Sequence, residues 1–326
     1  VIRSFLALFL VAAAGLLAAC GGGSSSKATT RTAAVSQLPR PLAVSVTRTG
    51  TLPSPVQDAA AVAFGPARFL LLGGLTQSEE SVADIVSATP THAVRIGSLP
   101  TALHDASASY LAGAAYLFGG GVVTSFPTIT RLEASGTRQT VGRLPTPASD
   151  VATTVVNGTV YIVGGYTGVT PLRTILAWRP PGGPARVVAT LPKPLRYAAV
   201  TSVGGQVVIA GGTSGEAASR DIYRFNPTTH GLTKLGRLPY PLTHAAAASV
   251  GATVLVFGGR DASSTSQTSR ILAIAPTGRV SPAGRLPRPL SDLGAVALGG
   301  KVALAGGRDS GGRVQDSILT ATLTNR

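Results

Sequence analysis

Beyond residue 42 the chain alternates between runs of small residues, short runs of large aliphatic residues and Gly-centred turns. The most apolar runs are Phe69 to Leu72, Ala115 to Phe118, Val160 to Val163, Val207 to Ala210, Val254 to Phe257 and Val302 to Ala305. Each is too short for a helix and has no polar alternation, which predicts strands covered on both faces. Each is closed by a Gly-Gly doublet, the doublets beginning at Gly73, Gly119, Gly164, Gly211, Gly258 and Gly306, so the period is 45 to 48 residues. A small-residue run such as His244 to Val250 precedes each apolar run and predicts an innermost strand crowded around an axis. The turn between the two is Gly-centred: Gly251-Ala252, Gly204-Gly205, Gly299-Gly300 and Asn157-Gly158, the last a strong tight-hairpin signal.

After each doublet a polar loop leads to a third predicted strand, such as Asp221 to Phe225 or Ile271 to Ala275. A Pro/Gly turn follows, then a more polar fourth strand that ends in Leu-Pro, as in Leu232 to Leu238. The Leu-Pro pairs start at Leu52, Leu99, Leu144, Leu191, Leu238 and Leu286. Copies at a fixed spacing mean one supersecondary unit stacked on itself. With these doublets the sequence resembles the kelch-type (galactose-oxidase-like) β-propellers, in which each repeat makes one four-stranded blade. The resemblance covers residues 43–326 and implies an all-β, six-bladed propeller of antiparallel blades. Kelch blades usually carry a Tyr after the doublet and a Trp on the outer strand. Here Tyr223 and Tyr166 are the near matches and Trp178 sits on a third strand, so the blades are expected to pack through aliphatic contacts. After Gly306-Gly307 the chain has one further strand, about Val314 to Leu323, whereas Val44 to Pro53 looks like a fourth strand lacking the first three. The N-terminal strand is therefore expected to complete the last blade and remove an open edge.

Composition adds turn density and charge. With Gly 40, Pro 23 and 44% hydrophobic residues the chain reads as a folded β protein, and with only 5% aromatics its core must be mostly aliphatic. The net charge of +15 favours anionic surfaces. The basic residues are scattered and stacking aromatics are few, so no nucleic-acid partner is expected. Residues 1–19 read as a lipoprotein signal peptide: Arg3, an apolar run from Phe5 to Leu17, then Ala18-Ala19 before Cys20. Leu17-Ala18-Ala19-Cys20 resembles the bacterial lipobox, which implies lipidation of Cys20, the chain's single cysteine. Residues 20–42 then form a flexible tether with a reach of roughly 25 Å. The expectation is an extracytoplasmic monomer anchored to a bacterial membrane.

The sixth residue after the Leu of each Leu-Pro falls where the innermost strand begins, giving Asp58, Asp105, Asp150, Tyr197, His244 and Asp292. Because strands alternate in direction, that position and the loop after each doublet share one face of the disc. Just before the ring lie His104 and Arg196, and after two doublets come Arg260 and Arg308. Carboxylates flanked by Arg, Tyr and His suit hydroxyl-rich or zwitterionic ligands. The competing reading is that these side chains bond the neighbouring loop's backbone and pin one blade to the next. No local metal-ligand motif occurs, and no cofactor is expected. His92 and His230 fall in turns on the opposite face.

Two function classes follow. The first is a non-catalytic binding module at the cell envelope, holding glycan, cell-wall polymer or a protein partner on the loop face; in its favour, no nucleophile–base motif or phosphate loop is present. The second comes from the resemblance, whose architecture includes a copper-dependent sugar oxidase and a sialic-acid mutarotase. The oxidase needs a Tyr-Cys pair, which lipidation of Cys20 closes off. A mutarotase-type sugar enzyme needs only positioned acid and base groups, which His244 with a facing carboxylate or Arg can supply.

Overall fold

The computed structural model describes residues 42–325 apart from 134–136, 216 and 262. The leader, Cys20 and nearly all of the tether lie outside the described residues. Among the described residues every regular element is a strand. The apolar runs form second strands at Phe69–Leu72, Ala114–Gly121, Thr159–Val163, Gln206–Ala210, Thr253–Phe257 and Lys301–Ala305. Each is flanked on both sides within its sheet and is almost wholly buried. A central strand with both faces covered has no solvent side on which to place polar residues.

The small-residue runs form the first strands: Ala60–Ala63, His104–Leu111, Ala152–Val156, Ala199–Val203, Ala246–Val250 and Gly294–Leu298. Each lies against the next, and Gly294–Leu298 lies against Ala60–Ala63, so the cycle closes. Only side chains as small as Ala, Ser, Thr and Gly let six strands converge on one axis. Asn157 and Gly158 both take left-handed φ, 48° and 71°, as the tight hairpin requires. Third and fourth strands extend each sheet outward, and in all six the fourth strand slips register by one residue, for example between Ile222 and Tyr223.

The N-terminal strand begins at Leu42, one residue before the predicted boundary. Leu42–Thr51 runs antiparallel to Ser317–Asn325 from Leu42↔Asn325 to Thr51↔Ser317, in the sheet that also holds Lys301–Ala305 and Gly294–Leu298. The chain's first described strand thus covers the edge its last strand would otherwise leave open. A parallel contact, Val44↔Gly284, joins it to the preceding sheet.

The doublets bolt neighbouring sheets together. The second Gly of each donates its amide to a carbonyl of the next sheet's lead-in loop, from Gly74 to Leu103 at 2.8 Å through Gly165 to Leu195 at 2.9 Å and round to Gly307 to Val56 at 2.8 Å. The first Gly makes room for it: a Cβ on Gly164, at φ +61°, would overlap the Leu195 carbonyl oxygen. The aliphatic packing expected between sheets holds only in part. Tyr116 meets Trp178 with ring centroids 4.9 Å apart between the second and third sheets, and Tyr161 meets Phe225 at 5.4 Å between the third and fourth.

Candidate functional site

Asp58, Asp105, Asp150, Tyr197, His244 and Asp292 adopt one backbone conformation, with φ between 53° and 59°. Each donates its amide to the carbonyl of the equivalent residue one sheet earlier: Asp105 to Asp58, Asp150 to Asp105, Tyr197 to Asp150, His244 to Tyr197, Asp292 to His244 and Asp58 to Asp292. The distances run from 2.7 to 3.4 Å and the circle closes. The backbone thus links each sheet to the next at this level, and no described Asp side chain of the ring makes the bond to a neighbouring loop's backbone that the competing reading required; the side-chain links between sheets here include Arg196–Asp150 and Tyr197–Asp105. The side chains instead line a central cavity of about 490 Å³ together with the small residues of the first strands. Asp and His are among the few L-residues that tolerate left-handed φ. Tyr is not, so Tyr197 carries backbone strain of about 1–3 kcal/mol, a pattern typical of side chains kept for function.

On one arc of the ring stand the carboxyls. Burial, and then the charges of Asp292 and Asp105, push Asp58 well above the usual carboxylate range. Burial and the charge of Asp150 do the same to Asp105, against a hydrogen bond from the Tyr197 hydroxyl at 3.0 Å. Burial raises Asp150 and Asp292 as well, opposed at Asp150 by the Arg196 guanidinium and at Asp292 by hydrogen bonding from Ser291 and the charge of Arg260. Like charges crowded at the axis favour sharing protons over ionising together.

The other arc is cationic and aromatic. The Arg196 guanidinium pairs with the buried Asp150, donates to the Tyr197 hydroxyl at 3.0 Å and lies 3.9 Å over the Tyr166 ring. Tyr197 stacks on His244 with centroids 3.7 Å apart. Arg260 Nη2 lies 3.0 Å from His244 Nε2. A guanidinium only donates, so Nε2 accepts and the neutral imidazole carries its proton on Nδ1. Burial and the charges of Arg260 and Arg196 hold His244 well below the ordinary histidine range, so it stays neutral. The His244 side chain is 9% exposed and its Nδ1 has no hydrogen-bond partner. Above this pair opens a pit of about 240 Å³, which also takes in Thr213, Thr243 and Asp261.

Arg196, Tyr197, His244 and Arg260 therefore come together in the pit. Asp150 and Asp105 reach it through Arg196 and Tyr197, and Asp58 and Asp292 complete the ring below. His104 is held aside by Ser81 at 2.9 Å, 3.6 Å from Asp105, and burial lowers its pKa against the charge of Asp150. Arg308 does not line the pit; it pairs with Glu79 at 3.4 Å on the rim. Thr213 was not singled out from sequence, Thr243 was noted only as a neighbour of the ring, and Tyr166 only as a repeat-motif match. A fixed offset finds them: the residue before each ring position pairs with the residue two past the first Gly of a doublet, as in Ser149↔Tyr166, Arg196↔Thr213, Thr243↔Arg260 and Ser291↔Arg308.

Among the described residues no group of three or more His, Cys, Asp or Glu is arranged to hold a metal ion. The Kelch motif matches residues 147–181 and 194–230, the segments that carry Asp150, Arg196 and Tyr197. The solved structure of YjhT superposes with a TM-score of 0.73, covering 85% of this chain and 99% of that one at 14% identity. The fold is a kelch-type β-propeller. At that identity the likeness speaks for the fold alone. No curated protein matches the sequence.

Proposed function

We propose that this kelch-type propeller is a six-bladed, monomeric binding module, exported and anchored through lipidated Cys20, whose loop-face pit holds a hydroxyl-rich ligand bearing an anionic group. That is the chemistry of an envelope glycan or wall polymer. The six-blade reading rests on the closed cycle of first strands and on Leu42–Thr51 supplying the outer strand beside Ser317–Asn325. Export and anchoring rest on the apolar leader and Leu17-Ala18-Ala19-Cys20.

The observation that carries the binding reading is the state of His244. Its Nε2 lone pair is committed to Arg260 and its Nδ1, which carries the only proton, is buried, so the imidazole supplies no free base to the pit and the charged donors that line it are Arg196 and Arg260. With the two guanidiniums beside it, the pit presents donors to an anionic, hydroxylated group. The mutarotase-type alternative draws on a different feature, the Arg196–Tyr197–Asp105 hydrogen-bond chain, in which a phenol bridges a cation and a carboxyl of raised pKa.

Two experiments test this. On an array of acidic and neutral glycans, Arg260→Gln combined with Tyr197→Asn is expected to lower binding at least about tenfold, since buried charge-assisted hydrogen bonds dominate such sites. Asn suits the left-handed φ at 197, so the thermal transition is expected to stay within a few degrees. Binding that survives the double substitution rules out the pit, and anomer interconversion lost with Tyr197→Phe turns the reading towards the enzyme. Cys20→Ser is expected to move the full-length protein from the membrane to the soluble fraction of its bacterial host; unchanged retention ends the anchoring proposal.

A further inference from the structure

Two consecutive sheet interfaces are filled by aromatic pairs at one level, and the interface that follows them in the chain is filled there by aliphatic side chains. Tyr116, Tyr161 and Val208 each lie three residues before the first Gly of their doublet. The third-strand residue that fills the same level of the following sheet is Trp178, Phe225 and Ile274 respectively, each paired in register with the residue four before its own doublet: Val160, Val207 and Val254. The first two interfaces therefore hold aromatic pairs, Tyr116 with Trp178 and Tyr161 with Phe225. The next, between the sheets Ala199–Arg237 and Ala246–Arg285, holds Val208 and Ile274. In place of two rings there is a cleft of about 410 Å³.

Its walls are Val203, Val208, Leu235, Val254 and Ile274, with Pro276 at one edge. Val208, Val254 and Ile274 are buried. The outer end is shut where the Gly278 turn of one sheet sits against the Leu235 carbonyl of the other, too close for any Cβ at 278. The turns Gly204-Gly205 and Gly251-Ala252 bound the opening, so the cleft lies on the face opposite the ring. Arg224 stands at the rim, exposed, and makes no side-chain hydrogen bond or ion pair with any described residue. A smaller gap of about 330 Å³ at Leu70 and Leu132 also has arginines in its lining, Arg68 and Arg138, but sets the carboxylate of Glu133 among them, paired with Arg131 at 2.9 Å, which disfavours an anion there.

From this geometry we infer that the cleft between the fourth and fifth sheets is a binding site for a flat aromatic ligand carrying an anionic group. The ligand's ring occupies the space that aromatic side chains fill at the two preceding interfaces, and its charge meets the unpaired Arg224 guanidinium. An apolar slot of this volume with one convergent polar group is the usual build of a small-molecule site, and ring burial supplies most of the affinity. The inference is independent of the loop-face pit.

The test uses the full chain and 8-anilinonaphthalene-1-sulfonate, an aromatic sulfonate whose fluorescence rises on burial. The native protein is expected to show one saturable site. Val208→Tyr with Ile274→Phe rebuilds the Tyr161–Phe225 pair inside the cleft and is expected to weaken the probe at least about tenfold without lowering the thermal midpoint, because the void is filled. Arg224→Gln, an exposed change that leaves the core intact, is expected to weaken it about fivefold, as loss of one charge-assisted contact does, while binding of the neutral analogue N-phenyl-1-naphthylamine is unaffected. No saturable binding to the native chain, or equal affinity in both variants, overturns the site. If the double variant does not fold, the Arg224→Gln result decides alone: unchanged sulfonate affinity refutes the inference.

Discussion

The two arcs of the axial ring share a backbone and differ in everything else. From Asp292 through Asp58 and Asp105 to Asp150 the side chains are carboxyls whose pKa values burial has driven upward; across Tyr197 and His244 they are a phenol and a neutral imidazole under two guanidiniums. Yet φ stays between 53° and 59° throughout, and the amide-to-carbonyl circle passes from one arc to the other without a break. Closure of the ring therefore does not depend on what the side chains are. That frees the six positions to carry chemistry, and the strain accepted at Tyr197 marks the arc where the side chain matters more than backbone ease.

The largest expected effect comes from attacking what the arcs have in common. In Gly164→Ala the new Cβ overlaps the Leu195 carbonyl oxygen, which lies in the loop leading to Arg196 and Tyr197, and the residue must also hold φ +61°. A loss of more than about 4 kcal/mol is expected in urea denaturation, the range of severe backbone and packing faults. Gly204→Ala, left-handed but with no heavy atom within 4 Å of its Cβ, serves as the control and is expected to cost about 1 kcal/mol. Similar losses in the two variants would mean that the doublets do not lock the ring.

A smaller effect separates the arcs. Asp58→Asn mimics the protonated acid without its charge. The folded-state pKa of Asp58 lies well above the ordinary 3.8 of a free carboxyl, so the folded protein binds this proton more tightly than the unfolded chain does. The contribution of Asp58 to stability is then complete below about pH 3.8 and is lost as pH rises through the raised value. Asp58→Asn is accordingly expected to exceed the native protein by about 1–2 kcal/mol at neutral pH, with the advantage shrinking towards zero on acidification. His244, depressed, acts in the opposite sense below the ordinary 6.5 of a free imidazole, so the difference between the two proteins, measured by urea denaturation from about pH 4 to about pH 8, isolates the acid arc. A difference that does not change with pH would show that Asp58 is ordinarily ionised and the arcs electrostatically alike.

Much of the fold was legible because its signals are local. Four-residue apolar runs between a Gly turn and a Gly-Gly doublet can only be short central strands, and Asn157-Gly158 fixes its own turn. The place of the ring was legible too, from one offset after each Leu-Pro, and so was its gathering of Asp, Tyr and His. Which arginine reaches the pit was not: Arg260 and Arg308 stand at the same offset, yet one lies against His244 and the other pairs with Glu79 across the rim. Pinning by side chains stood as one of two readings because a sequence shows side chains, whereas the amides and carbonyls that close the circle are common to every residue.

The sequence alone determined the strands, their spacing and the residue types brought to one end of the axis, since these follow from local periodicity and turn chemistry. Only the tertiary structure decided that the backbone closes the ring, that His244 is neutral, and that Val208 and Ile274 leave a cleft where the two preceding interfaces place rings. Each depends on groups far apart in the chain meeting within a few ångströms, and hydrogen bonding, burial and packing are fixed by that meeting and not by the order of residues.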